Sequence, residues 1–165
     1  MSPLWDYVWP LLVAGLVIGA VAATIGFRRG RWKLAIAVGF VVTIGAAALW
    51  HGPLGAADRF AGRVDRMARE SLDYYEMTTV TAQLHRGPLT RRLILTGPAD
   101  DFQRGELVRL FSQVPGVSGA TWRHEPGGLP LIAEGALAAI LGFLVGAGLA
   151  YLMELRRRYN AQWNW

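Results

Sequence analysis

The sequence of 165 residues contains no cysteine. Without thiol groups the chain cannot form a disulfide framework, a thiolate metal site or a cysteine nucleophile. Charge is also scarce, since 18% of the residues are charged and 53% are hydrophobic, a balance too apolar for an ordinary water-soluble domain. The formal net charge is +5, so the location of the excess positive charge decides which partners the chain suits.

Three long segments carry almost no charge. Residues 7–27 have no charged side chain, and 21 helical residues at about 1.5 Å each cover the roughly 30 Å hydrocarbon core of a bilayer. Residues 34–50 form a shorter run near the lower limit for a span, and residues 129–153 carry only Glu134. We therefore predict three transmembrane helices. A cleaved signal peptide is not expected, because Asp6 is the only charge before the first run.

The basic residues indicate how these spans are oriented. Residues 28–33 separate the first two runs and hold four positive charges, and Arg156–Arg158 follow the third run. The positive-inside rule places both clusters in the cytoplasm, and three spans then put the N-terminus and residues 51–128 outside. For a bacterial source, this is a multi-pass protein of the inner (cytoplasmic) membrane with a periplasmic domain. The predicted divisions are a two-helix hairpin at 1–50, this domain at 51–128, and a third helix with a basic tail at 129–165.

The predicted outer segment is almost neutral, with ten arginines against nine carboxylates between His51 and Gly128. The excess positive charge therefore flanks the spans, and we expect no nucleic-acid partner. The fold class we predict is α+β with transmembrane helices, in which three spans carry a small αββαβ domain.

Two helices are predicted in this domain. The first covers 57–75, where apolar or small side chains recur at three- and four-residue steps. They are Phe60, Val64, Met67, Ser71 and Tyr75. The second opens at Pro98, with Asp100 and Asp101 at the positive end of its dipole. Its apolar residues are Phe102, Leu107, Leu110, Phe111 and Val114.

Strands are predicted over 79–86, 90–96 and 117–123. In the first, Val80, Ala82 and Leu84 alternate with polar residues, which is typical of a half-buried strand. The second ends at Gly97 and Pro98, which break the extended backbone.

Two phrases within this order resemble a known family. They are Leu93-Ile-Leu-Thr-Gly-Pro-Ala-Asp-Asp-Phe102 and Val114-Pro-Gly-Val117. Together with the αββαβ order they resemble the BON domain, a module of bacterial envelope proteins, over about residues 57–123. The turn Arg86-Gly-Pro-Leu89 is longer than the family pattern. The resemblance implies binding to phospholipid surfaces or to proteins, and a role in membrane integrity, rather than catalysis.

An arginine face is predicted on the first helix of the domain, opposite its apolar side. It consists of Arg59, Arg63, Arg66 and Arg69. These residues are candidates for contact with anionic lipid headgroups or an acidic partner. The alternative is a solvated face neutralised by ion pairs between residues i and i+4, namely Asp65 with Arg69, Arg66 with Glu70, and Arg69 with Asp73.

Small and aromatic residues mark the spans. Two pairs of glycines have the GxxxG spacing that allows close helix packing, namely Gly15 with Gly19 and Gly142 with Gly146. Tryptophans near the ends of the runs are candidate interfacial anchors. They are Trp5, Trp9, Trp32, Trp50, Trp163 and Trp165. The last two, beyond the basic cluster, suit either anchoring or docking to a partner.

Chemistry-bearing residues are few. The histidines at 51, 85 and 124 lack the spacing of a helical metal site, so we expect no metal, haem or other cofactor. Glu134 is expected to act structurally in the first turn of its helix, since the other spans offer no midplane partner for proton transfer. No sequence motif of an enzyme is present, and midplane polar residues for a transport pathway are lacking.

Two functions follow as hypotheses. The first is a non-catalytic accessory, structural or assembly subunit of a larger membrane complex, with membrane lipids and other integral subunits or further copies of itself as partners. A respiratory or photosynthetic complex is one candidate host. The second is an envelope-maintenance protein that binds anionic phospholipid through its BON-like domain.

Overall fold

The computed structural model describes residues 2–122 and 127–162. This part of the chain forms five helices and a three-stranded sheet. In chain order they are α1 Pro3–Arg29, α2 Trp32–His51, α3 Ala56–Tyr74, β1 Thr81–Arg86, β2 Leu89–Thr96, α4 Asp101–Phe111, β3 Gly119–Thr121 and α5 Leu131–Gln162. The mixed α+β class and the order of α3 to β3 agree with the prediction.

Two compact units divide the chain. The first, which we call the αβ unit, consists of Met1–Tyr7 and Gly55–Glu134. The second, which we call the helical unit, consists of Val8–Leu54 and Gly135–Trp165. Helices α1 and α5 contribute residues to both units.

Three helices are long and apolar enough to cross a membrane: α1, α2 and residues 131–161 of α5. Each is longer than the apolar run that predicts it. Helix α1 begins before the run and continues through Pro10, and α5 continues past Met153 through the basic cluster. Arginine is a good helix former, so loss of hydrophobicity ends a membrane-compatible segment without ending the helix.

Helix α3 packs its apolar side into the αβ unit, but the buried stripe differs from the predicted one. Its fully buried members are Ala56, Ala57, Phe60, Ala61, Val64, Ala68 and Leu72. Met67 and Ser71 are only half-buried, and Tyr75 lies beyond the helix and is exposed, contrary to prediction. The prediction followed the larger side chains, whereas the alanines, which carry little signal in a hydrophobic pattern, form much of the packed face.

The sheet has the order β1-β2-β3, with β1 antiparallel and β3 parallel to β2. Val80, Ala82 and Leu84 are buried, as the alternation predicts. Arg86 pairs with Leu89 across the predicted turn, and the register shifts between Leu84 and Arg86. Strand β3 is shorter than the predicted 117–123, and Arg123 lies outside the described residues.

Helix α4 forms the crossover between the parallel strands. It begins at Asp101, three residues after the predicted Pro98, because Asp100 caps it. The Asp100 carboxylate accepts a hydrogen bond from the Gln103 backbone N–H at 2.7 Å, and the Gln103 side chain accepts one from the Asp100 N–H at 3.1 Å. This reciprocal pair is a capping box, which satisfies two otherwise unpaired donors.

We expect Asp100→Ala to destabilise α4 by about 1 kcal/mol, because it leaves the Gln103 N–H without its acceptor. Hydrogen–deuterium exchange of the α4 amides in the full-length protein measures the effect. Asp101→Ala is the matched control, since Asp101 is the neighbouring exposed carboxylate and is not the cap. Equal exchange in the two variants would show that the cap contributes no more than the charge of the neighbouring first-turn carboxylate.

Candidate interaction sites

The four GxxxG glycines lie where α1 and α5 meet in the helical unit. A Cβ atom built on Gly15 would lie 2.0 Å from the carbonyl oxygen of Ala139, and one on Gly19 would lie 2.1 Å from that of Phe143. The reciprocal distances are 2.1 Å from Gly142 to the Leu12 oxygen and 2.0 Å from Gly146 to the Leu16 oxygen. The two helix backbones are therefore in direct contact, and each glycine pair faces the other helix.

Helix α2 approaches α1 through small residues as well. A Cβ on Gly39 would lie 2.6 Å from the Ala22 Cβ, and one on Gly26 would lie 3.0 Å from the Ala35 Cβ. The rings of Phe40 and Phe143 contact edge to face, with centroids 6.1 Å apart. The three helices thus pack through close backbone approaches and a few aromatic contacts.

The arginine face of α3 is exposed at all four positions, Arg59, Arg63, Arg66 and Arg69. Arg63 forms an ion pair with Asp6 at the start of α1, within the αβ unit. Tyr7 lies beside it and contacts Phe60, with ring centroids 6.2 Å apart. The N-terminal residues therefore form part of the αβ unit.

The predicted ion pairs along α3 do not form within the described residues. Asp65 instead faces β1, where it accepts a hydrogen bond from the Leu84 N–H at 2.9 Å and pairs with Arg86 at 2.9 Å. The strand holds this carboxylate away from Arg69. Arg66 and Arg69 have no ion pair with any described carboxylate, so the arginine face keeps positive charge that the predicted pairs would have cancelled.

We expect Asp65→Ala to lower the free energy of unfolding by about 1–3 kcal/mol, because it leaves the part-buried Leu84 N–H without an acceptor. Chemical denaturation of the full-length protein in micelles measures the change. Asp73→Ala, an exposed carboxylate on the same helix, is the control and should change stability by less than about 0.5 kcal/mol. A comparable loss in both variants would contradict the role of Asp65 in joining α3 to β1.

Glu134 lies in the first turn of α5, as predicted, and has a partner that the prediction missed. Its carboxylate pairs with the Arg91 guanidinium of β2, with N···O distances of 2.8 and 2.9 Å. The side chains are only 19% and 23% exposed, respectively. A bridge between Thr90 and Pro130 brings the start of α5 alongside β2 and positions the pair. The carboxylate therefore has a charge partner within the αβ unit.

A second unforeseen contact joins α4 to the end of the sheet. The Trp122 indole N–H donates a hydrogen bond to the Arg104 carbonyl oxygen at 3.1 Å. The Arg104 guanidinium lies over the indole at 5.5 Å from the ring centre, a distance suited to a cation–π interaction. Because the two residues are 18 positions apart, only the fold brings them together.

Several large aromatic side chains lie at the surface of the αβ unit. Phe102, predicted to face the core, is 78% exposed, and Tyr74 is 81% exposed. The rings of Tyr74 and Tyr75 contact edge to face beside a shallow cleft of about 410 Å³. Its other lining residues are Met67, Glu70, Ser71, Val114 and Pro115. We call this feature the tyrosine cleft.

The candidate tryptophan anchors have mixed burial. Trp5, Trp9 and Trp32 are about half exposed, and Trp50 is part-buried. Lys33 extends its ammonium to 6.0 Å from the Trp32 ring centre. The remaining two anchors, Trp163 and Trp165, lie outside the described residues.

The histidines do not converge in the described chain. His85 lies at the hairpin, where its Nδ1 is 3.0 Å from the Pro88 carbonyl oxygen, and His51 ends α2. His124 lies outside the described residues. Among residues 2–122 and 127–162, no three histidine, aspartate or glutamate side chains are grouped to hold a metal ion. No protein-family model, curated protein or solved structure matches the chain.

Proposed function

We propose that this chain is a non-catalytic inner-membrane protein that acts as an accessory, structural or assembly subunit of a larger membrane complex. Helices α1, α2 and α5 span the bilayer, with residues 28–33 and the C-terminus in the cytoplasm. The αβ unit, a BON-like module, is held at the periplasmic face and contacts a neighbouring subunit. A respiratory or photosynthetic assembly is one candidate host.

The observation that carries this proposal is the set of exposed aromatic side chains on the αβ unit. Tyr74, Tyr75 and Phe102 lie outside the core although the unit buries smaller residues such as Ala57 and Ala68. Aromatic residues contribute strongly to protein interfaces, because they bury a large area at a low cost in conformational entropy. The tyrosine cleft supplies a concave, mostly apolar surface of the kind that receives a partner side chain.

Site-specific photo-crosslinking in native membranes tests the proposal. A photoreactive residue at Tyr74 or Phe102 is expected to give discrete crosslinks to another integral membrane protein, identifiable by mass spectrometry. The control places the same residue at Asp58, which is exposed on α3. Absence of crosslinks at both aromatic positions, with recovery of a tagged copy as a lone monomer in mild detergent, would refute the subunit role.

The periplasmic position of the unit has its own test. A single cysteine introduced at Gln83, an exposed position in β1 of a chain without native cysteine, reports the side of the membrane. We expect a membrane-impermeant thiol reagent to label it in cells with a permeabilised outer membrane. Labelling only after the inner membrane is opened would reverse the orientation.

The second candidate function, binding of anionic phospholipid by the αβ unit, is favoured by the unpaired charge on α3. Arg66 and Arg69 are exposed and have no described carboxylate partner. Full-length protein in phosphatidylglycerol nanodiscs should then show slower hydrogen exchange in α3 than in phosphatidylcholine nanodiscs. The Arg66→Gln/Arg69→Gln variant should lose this difference, while Arg109→Gln on α4 should keep it. Equal exchange in both lipids would exclude the mechanism.

A further inference from the structure

A groove between α1 and α2 runs along the helical unit. It measures about 770 Å³ and is lined by branched apolar side chains, with Arg29 and Arg31 at one end. Its floor is formed by small residues, because Ala22 packs against Gly39 and Gly26 packs against Ala35. Small residues let the two backbones approach closely, while the larger side chains on either side form its walls.

The length of the groove corresponds to one leaflet of a bilayer. The twelve helical steps from Val17 to Arg29 cover roughly 18 Å. Half of the hydrocarbon core is roughly 15 Å. A groove that begins near the bilayer centre and ends at two arginines therefore matches the extent of a single acyl chain and its headgroup.

The charge in the groove is confined to that end. Arg29 lies in the last turn of α1, and Arg31 immediately precedes α2. Neither guanidinium has an ion pair with a described carboxylate. Guanidinium groups bind phosphate oxygens well, since their planar donors can form two parallel hydrogen bonds.

A second groove, between α1 and α5, provides an internal comparison. It measures about 650 Å³ and has Arg28, Arg156 and Arg157 at its rim, but it also contains Glu154. That carboxylate pairs with Arg157 at 3.4 Å and with Arg158 at 3.0 Å. The internal carboxylate offsets part of the positive charge there, whereas none of the described residues that line the groove between α1 and α2 is acidic.

We propose that the groove between α1 and α2 is a binding site for one anionic glycerophospholipid, with an acyl chain between the helices and the phosphate at Arg29 and Arg31. This rests on the proposed insertion of the helices in a membrane. A partner helix is a poorer match, because a helix would cross both leaflets whereas the groove extends along one. Basic sites between transmembrane helices on the cytoplasmic side are suited to anionic lipid headgroups.

Native mass spectrometry of the full-length protein tests the site. The protein is offered equal amounts of phosphatidylglycerol and phosphatidylcholine with matched acyl chains, and bound lipid is counted. We expect one retained phosphatidylglycerol. Arg29→Gln/Arg31→Gln should weaken its binding roughly 30-fold. The Arg156→Gln/Arg157→Gln variant removes the same charge from the other groove and should leave binding within about three-fold of the unmodified protein.

A second pair of variants tests the apolar part of the groove. Val38→Trp fills the groove from the α2 side and should abolish lipid retention. Val41→Trp adds the same bulk on the same helix, at a position that is 69% exposed and does not line the groove, and should retain the lipid. Circular dichroism of both variants tests whether they remain folded.

Three results would overturn the site. The first is equal retention of both lipids, and the second is an equal loss of lipid binding from the two arginine double variants. The third is that a photoreactive residue placed at Val38 crosslinks to a protein segment in place of lipid. Reconstitution in nanodiscs separates this inference from the proposed function. A protein that fails to insert refutes both, whereas a protein that inserts without the lipid preference refutes the site alone.

Discussion

Gly146→Ala is expected to destabilise the helical unit by about 3 kcal/mol or more, because the added methyl group cannot be accommodated. Its Cβ would lie 2.0 Å from the Leu16 carbonyl oxygen and 2.9 Å from the Ala20 nitrogen. Both atoms belong to the α1 backbone, so a rotamer change cannot relieve the overlap and the helices must separate. Thermal unfolding of the full-length protein in micelles, followed by circular dichroism, measures the loss.

Gly148→Ala provides a matched control two residues later on α5. A Cβ at Gly148 meets no atom of the described residues within 4 Å, and alanine is favoured over glycine in a helix by about 1 kcal/mol. This variant should be at least as stable as the unmodified protein. If Gly146→Ala and Gly148→Ala unfolded at the same temperature, the direct backbone contact between α1 and α5 would be refuted.

Glu134→Gln is expected to lower the free energy of unfolding by about 2–3 kcal/mol, less than the loss of a fully buried ion pair, because it leaves the part-buried Arg91 with an uncompensated charge. Arg91→Met should have a similar effect for the converse reason. The double variant should be less destabilised than the sum of the two single variants, since it leaves no unpaired charge. Chemical denaturation of all four proteins in micelles gives the coupling free energy.

The Glu106–Arg109 pair on α4 is the control for this cycle. Its N···O distance is 2.8 Å, the same as the shorter distance in the Arg91–Glu134 pair, but its side chains are 49% and 73% exposed. Exposed pairs contribute about 0–1 kcal/mol, so the equivalent cycle should give a small coupling free energy. Equal coupling in the two cycles would show that the partial burial of Glu134 has no energetic consequence.

Local patterns predicted much of the architecture. The alternation of Val80, Ala82 and Leu84 placed β1, and the apolar runs placed three long helices, because side-chain periodicity and apolar length depend only on neighbouring residues. Local patterns also predicted that Phe102 packs in the core and, from the i,i+4 spacing, that Asp65 pairs with Arg69. Both predictions were wrong, because neither apolar periodicity nor charge spacing specifies what a helix faces, and Asp65 faces a strand.

The contacts that define the candidate sites depend on residues far apart in the chain. Arg91 and Glu134 are 43 positions apart, and no local pattern connects them. The sequence marked Glu134 as notable because it is a charge at the edge of an apolar run. That Arg91 is its partner depends on the pairing of Thr90 with Pro130. The glycine spacing of α1 and α5 indicated close packing without indicating which helices meet.

The amino-acid sequence by itself determined the apolar lengths of the three helices, the order of elements in the αβ unit and the confinement of excess positive charge to residues beside the apolar runs. Tertiary structure alone decided that Gly15 and Gly19 face α5, that Asp65 and Glu134 each pair with an arginine of the sheet, and that Arg29 and Arg31 end a groove. The physical reason is the separation along the chain of the residues that interact. Helix and strand formation follows from side chains a few positions apart, whereas ion pairs, backbone contacts and grooves require distant segments to be brought together by the burial of apolar surface.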